Sequence, residues 1–161
     1  MNRARARSAP LDREQVRKRQ GAGGWACFSL WFMGFPDQAL EMARETLRRA
    51  EDHVYSLALS HTQAALVHQY RREPRLVREW AEAAIEVATK NGFLYWAAVA
   101  SVLRGWALAM QGQFAEGIEG IHRGLAGCRA AGVEMDRPYY LALLAEALCR
   151  DARPQDALSA C

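Results

Sequence analysis

The sequence predicts an all-α solenoid of about seven to eight helices, arranged as antiparallel pairs stacked one on the next. Three observations carry that expectation. A turn signature recurs at a nearly fixed interval, the helix after each turn carries one apolar stripe, and glycine-containing turns end the intervening helices.

The recurring turns are Gly34-Phe35-Pro36-Asp37-Gln38-Ala39-Leu40, Arg72-Glu73-Pro74-Arg75-Leu76-Val77, Gly112-Gln113-Phe114-Ala115-Glu116-Gly117-Ile118 and Ala152-Arg153-Pro154-Gln155-Asp156-Ala157-Leu158. Aligning Ala39, Val77, Gly117 and Ala157 gives separations of 38, 40 and 40 residues. Proline occupies one place in three of the four. It suits the first position of a helix, where its missing N–H would have no intrahelical partner anyway.

The elements follow in order. An opening helix is expected near residues 24–33. The helix after the first turn has an apolar stripe of Ala39, Ala43, Leu47 and Ala50, with Glu41, Arg44, Glu45 and Arg48 opposite. Its counterparts carry Val77, Ala81, Ile85, Ala88 and then Gly117, Ile121, Leu125, Cys128, spaced three and four apart as one helix face requires. Small residues lead each stripe, so the paired helices can approach closely. The partner helices are expected at about 54–71, 93–111 and 138–151, with Asn91-Gly92 and Gly132 as left-handed caps of the helices before them. The apolar stripe of a last helix begins at Ala157, and that helix stops at Cys161. The terminal repeat is therefore expected to be cut short. That leaves Tyr139, Leu141, Leu144 and Leu148 without a full partner and invites self-association through an uncapped end.

Residues 23–161 form the expected repeat domain, and residues 1–22 a basic, disordered leader. The first twenty residues hold seven basic side chains against Asp12 and Glu14, a net +5, so the rest of the chain carries −2 of the overall +3. Such an arm suggests nucleic-acid association as one reading, although it lacks aromatic residues that would stack on bases. Its acidic residues argue against a transit peptide. No uninterrupted apolar stretch of the ~18 residues a membrane span needs occurs, because Ser101, Arg104 and Gly105 break the segment 92–110. Cys27, Cys128, Cys149 and Cys161 show no zinc-site spacing and are expected as reduced thiols of a cytoplasmic protein.

The segment Leu30-Trp31-Phe32-Met33-Gly34-Phe35-Pro36-Asp37-Gln38-Ala39-Leu40 resembles the first helix and turn of a tetratricopeptide repeat. More narrowly, His68-Gln69-Tyr70-Arg71-Arg72-Glu73-Pro74, Leu103-Arg104-Gly105-Trp106-Ala107-Leu108-Ala109 and Arg137-Pro138-Tyr139-Tyr140-Leu141-Ala142-Leu143-Leu144-Ala145-Glu146 are similar to the tetratricopeptide-like C-terminal region of bacterial signalling proteins. Those proteins join a predicted signal-transduction ATPase to an adenylate/guanylate cyclase domain in many members. The resemblance covers residues 24–158 and implies a sensor or scaffold part. The interval here exceeds the thirty-four residues usual for the superfamily.

The phosphate-binding GxxxxGK[ST] pattern is absent, so no nucleotide site transfers. No serine, cysteine or histidine triad can be assembled, and no catalysis, cofactor or metal is expected. The carboxylate clamp of chaperone-binding tetratricopeptide domains resembles a groove bearing asparagine and lysine, yet the only asparagines are Asn2 and Asn91. The candidate groove residues are Ser60, His61, Gln63, His68, Tyr70 and Arg104. His61 and His68 share a helix face ~10 Å apart, too far to chelate one ion, and with Ser60, Gln63 and Tyr70 they form a polar strip. Arg104 stands in an apolar helix, so it is expected either to meet an anionic ligand or to pair internally with Glu146. Trp31, Trp80, Trp96 and Trp106 are expected in the core and Trp25 at the surface, with Tyr139 and Tyr140 across the last hairpin.

Three functions remain open on these grounds: a module binding a protein or peptide partner beside a cyclase or ATPase, a small-molecule sensor, and association with nucleic acid through the leader.

Overall fold

In a computed structural model, residues 26–50 and 53–160 are described. They form α1 (residues 26–32), α2 (Pro36–Ala50), α3 (Val54–Tyr70), α4 (Pro74–Lys90), α5 (Leu94–Met110), α6 (Phe114–Ala130), α7 (Arg137–Arg150) and α8 (Pro154–Ala160). The basic leader, Trp25 and Cys161 lie outside the described residues. Consecutive helices from α2 to α8 pack on one another, α6 and α7 the least, and the architecture is an α-solenoid of antiparallel hairpins. No described helix is long and apolar enough to cross a membrane.

The repeat is visible in the backbone turn by turn. Gly34, Arg72, Gly112 and Ala152 occupy the same place in the four turns, and each has positive φ, between 57° and 86°. The next residue in each turn donates its N–H to a carbonyl five residues back: Phe35 to Leu30, Glu73 to His68, Gln113 to Leu108 and Arg153 to Leu148, at 2.9–3.0 Å. This six-to-one bond closes the end of the helix and turns the chain back on itself. Gly92 and Gly132 cap α4 and α6 in the same way, with Phe93 bonded to Ala88 and Val133 to Cys128.

The apolar stripes are buried with one regular correction. The innermost residues are Ala39, Ala43, Thr46 and Ala50 on α2, Val77, Ala81, Ala84 and Ala88 on α4, and Gly117, Ile121, Gly124 and Cys128 on α6. The third place is taken by Thr46, Ala84 and Gly124, whereas the expected Leu47, Ile85 and Leu125 stand beside it, half-buried. Close helix approach selects the small residue. A Cβ on Gly124 would sit 2.5 Å from Val102 Cγ2, and one on Gly105 would sit 2.5 Å from the Gly117 carbonyl oxygen. The α5–α6 crossing is thus glycine against glycine.

The outer faces of the second helices carry i,i+4 ion pairs, as in Arg49–Glu45, Arg78–Glu82 and Lys90–Glu86, each worth a few tenths of a kcal/mol. The first helices are different. Ten residues of α3 and ten of α5 are buried, covering most of each circumference, because α3 touches α2, α4 and α5, and α5 touches α3, α4, α6 and α7. First helices therefore touch across repeats, whereas α2, α4 and α6 do not touch one another. The stack curves with α1, α3, α5 and α7 inside.

Candidate functional site

The inner side of that curve is a trough walled by aromatic rings. Tyr55 opens α3 and Tyr95 opens α5, 40 residues later, so the same place in two successive repeats supplies a ring. Tyr95 packs edge-on against Trp96, with centroids 4.8 Å apart, and Tyr55 reaches the same indole at 6.3 Å. Tyr140, from the first turn of α7, and Phe28, from α1, complete the enclosure. The connection from α6 to α7 spans residues 131–136, twice the three residues of the other turns. The extra residues lay Val133, Met135 and Asp136 against the cavity. An insertion in one repeat that lands on one face commonly marks the binding face of a solenoid. The resulting cavity has a volume of about 370 Å³.

A second cavity of about 540 Å³ continues from the first and shares Phe28, Leu66, Asp136 and Tyr140 with it. Tyr70 dominates this end. Its ring stacks on Trp31 with centroids 5.6 Å apart and meets Phe28, Phe32 and Tyr139 within 6.1 Å. The Tyr139 hydroxyl donates to Gln69 Oε1. This contact joins α3 to α7 across the trough.

The lining includes one amide and one carboxylate, those of Gln63 and Asp136. Gln63 lines the first cavity with only 5% of its surface exposed, and its Oε1 accepts no hydrogen bond among the described residues. Asp136 lines both cavities and makes no ion pair among the described residues. Its negative charge reaches the phenols of Tyr70, Tyr95, Tyr139 and Tyr140. Burial first, and Asp136 second, pushes the Tyr95 hydroxyl up to about 12 and the Cys128 thiol up to about 11. Tyr70 is raised by the same two causes. Tyr139 and Tyr140 are also raised, chiefly by burial, with Asp136 contributing. These phenols are therefore neutral hydrogen-bonding groups at physiological pH.

The six candidate residues divide. Gln63 and Tyr70 line the trough. Ser60, His61, His68 and Arg104 do not, and each has a structural reason. Ser60 is 1% exposed inside the stack. His61 turns toward α4, 5.6 Å from the Trp80 ring, and burial lowers its pKa. His68 is buried, with Nδ1 2.6 Å from Glu73 Oε2 at the start of α4. The two histidines do share a face, but that face packs on α4. Arg104 points away from the trough and bonds Glu82 on α4 at 3.2 Å and Glu116 on α6 at 2.9 Å. Its expected partner, Glu146, is held instead by Arg72 and by Trp106 Nε1.

Two further expectations are corrected. Of the tryptophans assigned to the core, only Trp106 is fully buried, while Trp31, Trp80 and Trp96 are half-buried and Trp96 walls the trough. Tyr139 and Tyr140 face the trough, not the last hairpin. Cys149 is exposed, whereas Cys27 and Cys128 are buried, and none of the three forms a disulfide among the described residues. Among the described residues no group of three or more His, Cys, Asp or Glu could hold a metal ion.

Comparison with models of known protein families and with curated proteins finds no match to this chain.

Proposed function

We propose that this chain is a non-catalytic interaction module, a tetratricopeptide-like repeat domain whose inner trough takes an extended or helical segment of another protein. One observation supports the reading above others. The aromatic residues of four successive first helices line two joined cavities, while the outer helices present self-paired charges. Aromatic rings give large contact area at low entropic cost, which is why they anchor segments in grooves. The two cavities in line suit a chain with successive side chains. The resemblance of the stretches 68–74, 103–109 and 137–146 to bacterial signalling proteins favours an ATPase or cyclase module as the partner, and the lack of a disulfide among the described cysteines agrees with a cytoplasmic setting.

Peptide-display selection on the purified chain tests the reading. Selected sequences should lose binding on Trp96→Ala and Tyr70→Ala and keep it on Arg123→Ala, a substitution on the exposed face of α6. Selection of nothing, or of sequences indifferent to both trough substitutions, would overturn it.

A small-molecule sensor is the second reading, favoured by the first cavity alone. Its volume, about 370 Å³, falls within the ~300–1,000 Å³ of small-ligand pockets. Thermal-shift screening against metabolites separates the two. A ligand would regulate an attached enzyme only by preferring one curvature of the stack.

A further inference from the structure

The first cavity has a chemical preference beyond apolarity, and this inference rests on the reading of the trough as a binding surface. It is lined by aromatic rings, the Asp136 carboxylate and the Gln63 amide. The rings are those of Tyr55, Tyr95, Trp96 and Tyr140, contributed by α3, α5 and α7. Asp136 carries a negative charge with no cation beside it among the described residues, although the chain is rich in arginine. Its neighbour in sequence, Arg137, lines a separate depression with Glu134 and Pro138. Gln63 Oε1 is buried and lacks a donor. A buried acceptor without a donor is costly to keep, and half-buried Asp136 has the neutral Tyr95 hydroxyl as a hydrogen-bond partner but no cation among the described residues to balance its charge.

All three features ask for the same guest. The electron-rich faces of tryptophan and tyrosine attract cations. The carboxylate attracts a cation and accepts N–H donors. The amide oxygen needs a donor. A quaternary ammonium group satisfies the rings but has no N–H to give. A guanidinium satisfies everything: it is flat, stacks on rings, and presents five N–H donors in a fork that fits a carboxylate. The second cavity continues from the first past Asp136 and is walled by Phe28, Phe32, Tyr70 and Tyr139. The guest therefore extends beyond the cation into an apolar site, as a peptide chain does.

We propose that the cavity between Trp96, Tyr140, Gln63 and Asp136 is an arginine-reading pocket, which takes the guanidinium of an arginine side chain in a partner segment whose neighbouring apolar residue enters the Tyr70 cavity. Lysine is the poorer guest, since its compact ammonium cannot stack.

The test uses the protein labelled with 5-fluorotryptophan, with the Trp96 fluorine resonance assigned by Trp96→Phe. Three probes are titrated: an acetylated and amidated alanine pentapeptide with a central arginine, the same peptide with citrulline, and ethylguanidinium. Citrulline keeps the shape and loses the charge. The arginine peptide should shift the Trp96 resonance saturably, and citrulline should bind roughly tenfold more weakly or worse. Asp136→Asn should weaken the arginine peptide by a similar factor. Asp136 makes no side-chain cap to α7, and asparagine keeps an oxygen that accepts from the Tyr95 hydroxyl, so the variant should melt as the parent does. Equal binding of citrulline and arginine, indifference to Asp136→Asn, or no shift at all would overturn the proposal. Tighter binding of ethylguanidinium than of the arginine peptide would overturn the peptide as the source. If display instead yields uncharged sequences that still depend on Trp96, the trough reading stands and the arginine pocket falls.

Discussion

Arg72 holds its guanidinium 5.2 Å from the centroid of the Trp106 ring, and both side chains donate to the Glu146 carboxylate. The arrangement ties the turn between α3 and α4 to α5 and to α7. It also explains why an arginine sits at φ +61° where the equivalent turns have Gly34 and Gly112. A side chain in the left-handed region costs about 1–2 kcal/mol, and here that residue delivers a clamp across three repeats.

The clamp and the strain can be separated by two substitutions. Arg72→Ala keeps a Cβ in the left-handed region and removes the guanidinium, so it should destabilise by about 1–3 kcal/mol. Ala152→Gly, at φ +57° in the equivalent turn, relieves strain and removes no partner, so it should be neutral or stabilise by up to about 1 kcal/mol. Chemical denaturation of both variants measures the two terms.

Glycine at the α5–α6 crossing is required for space. A Cβ on Gly117 would lie 2.6 Å from the Gly105 carbonyl oxygen and 2.7 Å from the Ala109 nitrogen, both backbone atoms that cannot swing aside. Gly117→Ala should therefore cost about 2–3 kcal/mol as the helices are forced apart. Gly112 has open space around it but φ +86°, and Gly112→Ala should cost only the conformational term of about 1 kcal/mol. Melting temperatures of the pair rank the two causes.

Stability should fall in two steps on acidification. Burial lowers the pKa of His61 below its ordinary 6.5. The unfolded chain therefore takes up a proton first, and stability declines as pH drops from 6.5 toward the folded value. His61→Phe should flatten that first decline. Glu73, Glu82 and Glu146 behave separately. Burial pushes each upward, but hydrogen bonds from His68 and Arg71, from Arg78 and Arg104, and from Arg72 and Trp106 more than offset it, holding all three below the usual 4.5. Their contribution is present above 4.5 and is lost as pH falls through the folded values. Glu146→Gln should reduce this second decline and leave the first intact. Urea denaturation between pH 7 and pH 3 resolves both steps.

Much of the solenoid was legible because its turns are local. Pro36, Pro74 and Pro154, with Gly34, Gly92, Gly112 and Gly132, act on the backbone beside them, so the helix limits fall within one or two residues of expectation. The stripes were misread at one position in four because Leu47, Ile85 and Leu125 looked more apolar than Thr46, Ala84 and Gly124. Nearest approach selects for small size, not for hydropathy. The trough was the least legible part. On α3 and α5 apolar residues run nearly all round, so no period separates the face toward the trough from the faces toward neighbouring helices. The interval between Tyr55 and Tyr95 and the long α6–α7 connection were the available signals. The pairing of Arg72 with Glu146 joins distant repeats, and helix periodicity holds no information about it.

Arg104 illustrates the difference between an isolated charge and a site. With its side chain 25% exposed and its partners Glu82 and Glu116 at 43% and 52%, it belongs to a surface network on the outer side. Arg104→Met should cost less than about 1 kcal/mol and leave peptide binding in the trough unchanged. Calorimetric titration beside a melting curve checks both parts.

Binding energy at Trp96 is the most direct measure of the trough as the working surface. Isothermal titration of a display-selected peptide into the parent chain, Trp96→Ala and Arg123→Ala should give roughly tenfold or greater loss for the first substitution and none for the second. Equal affinities across all three proteins, with folding intact, would contradict the account.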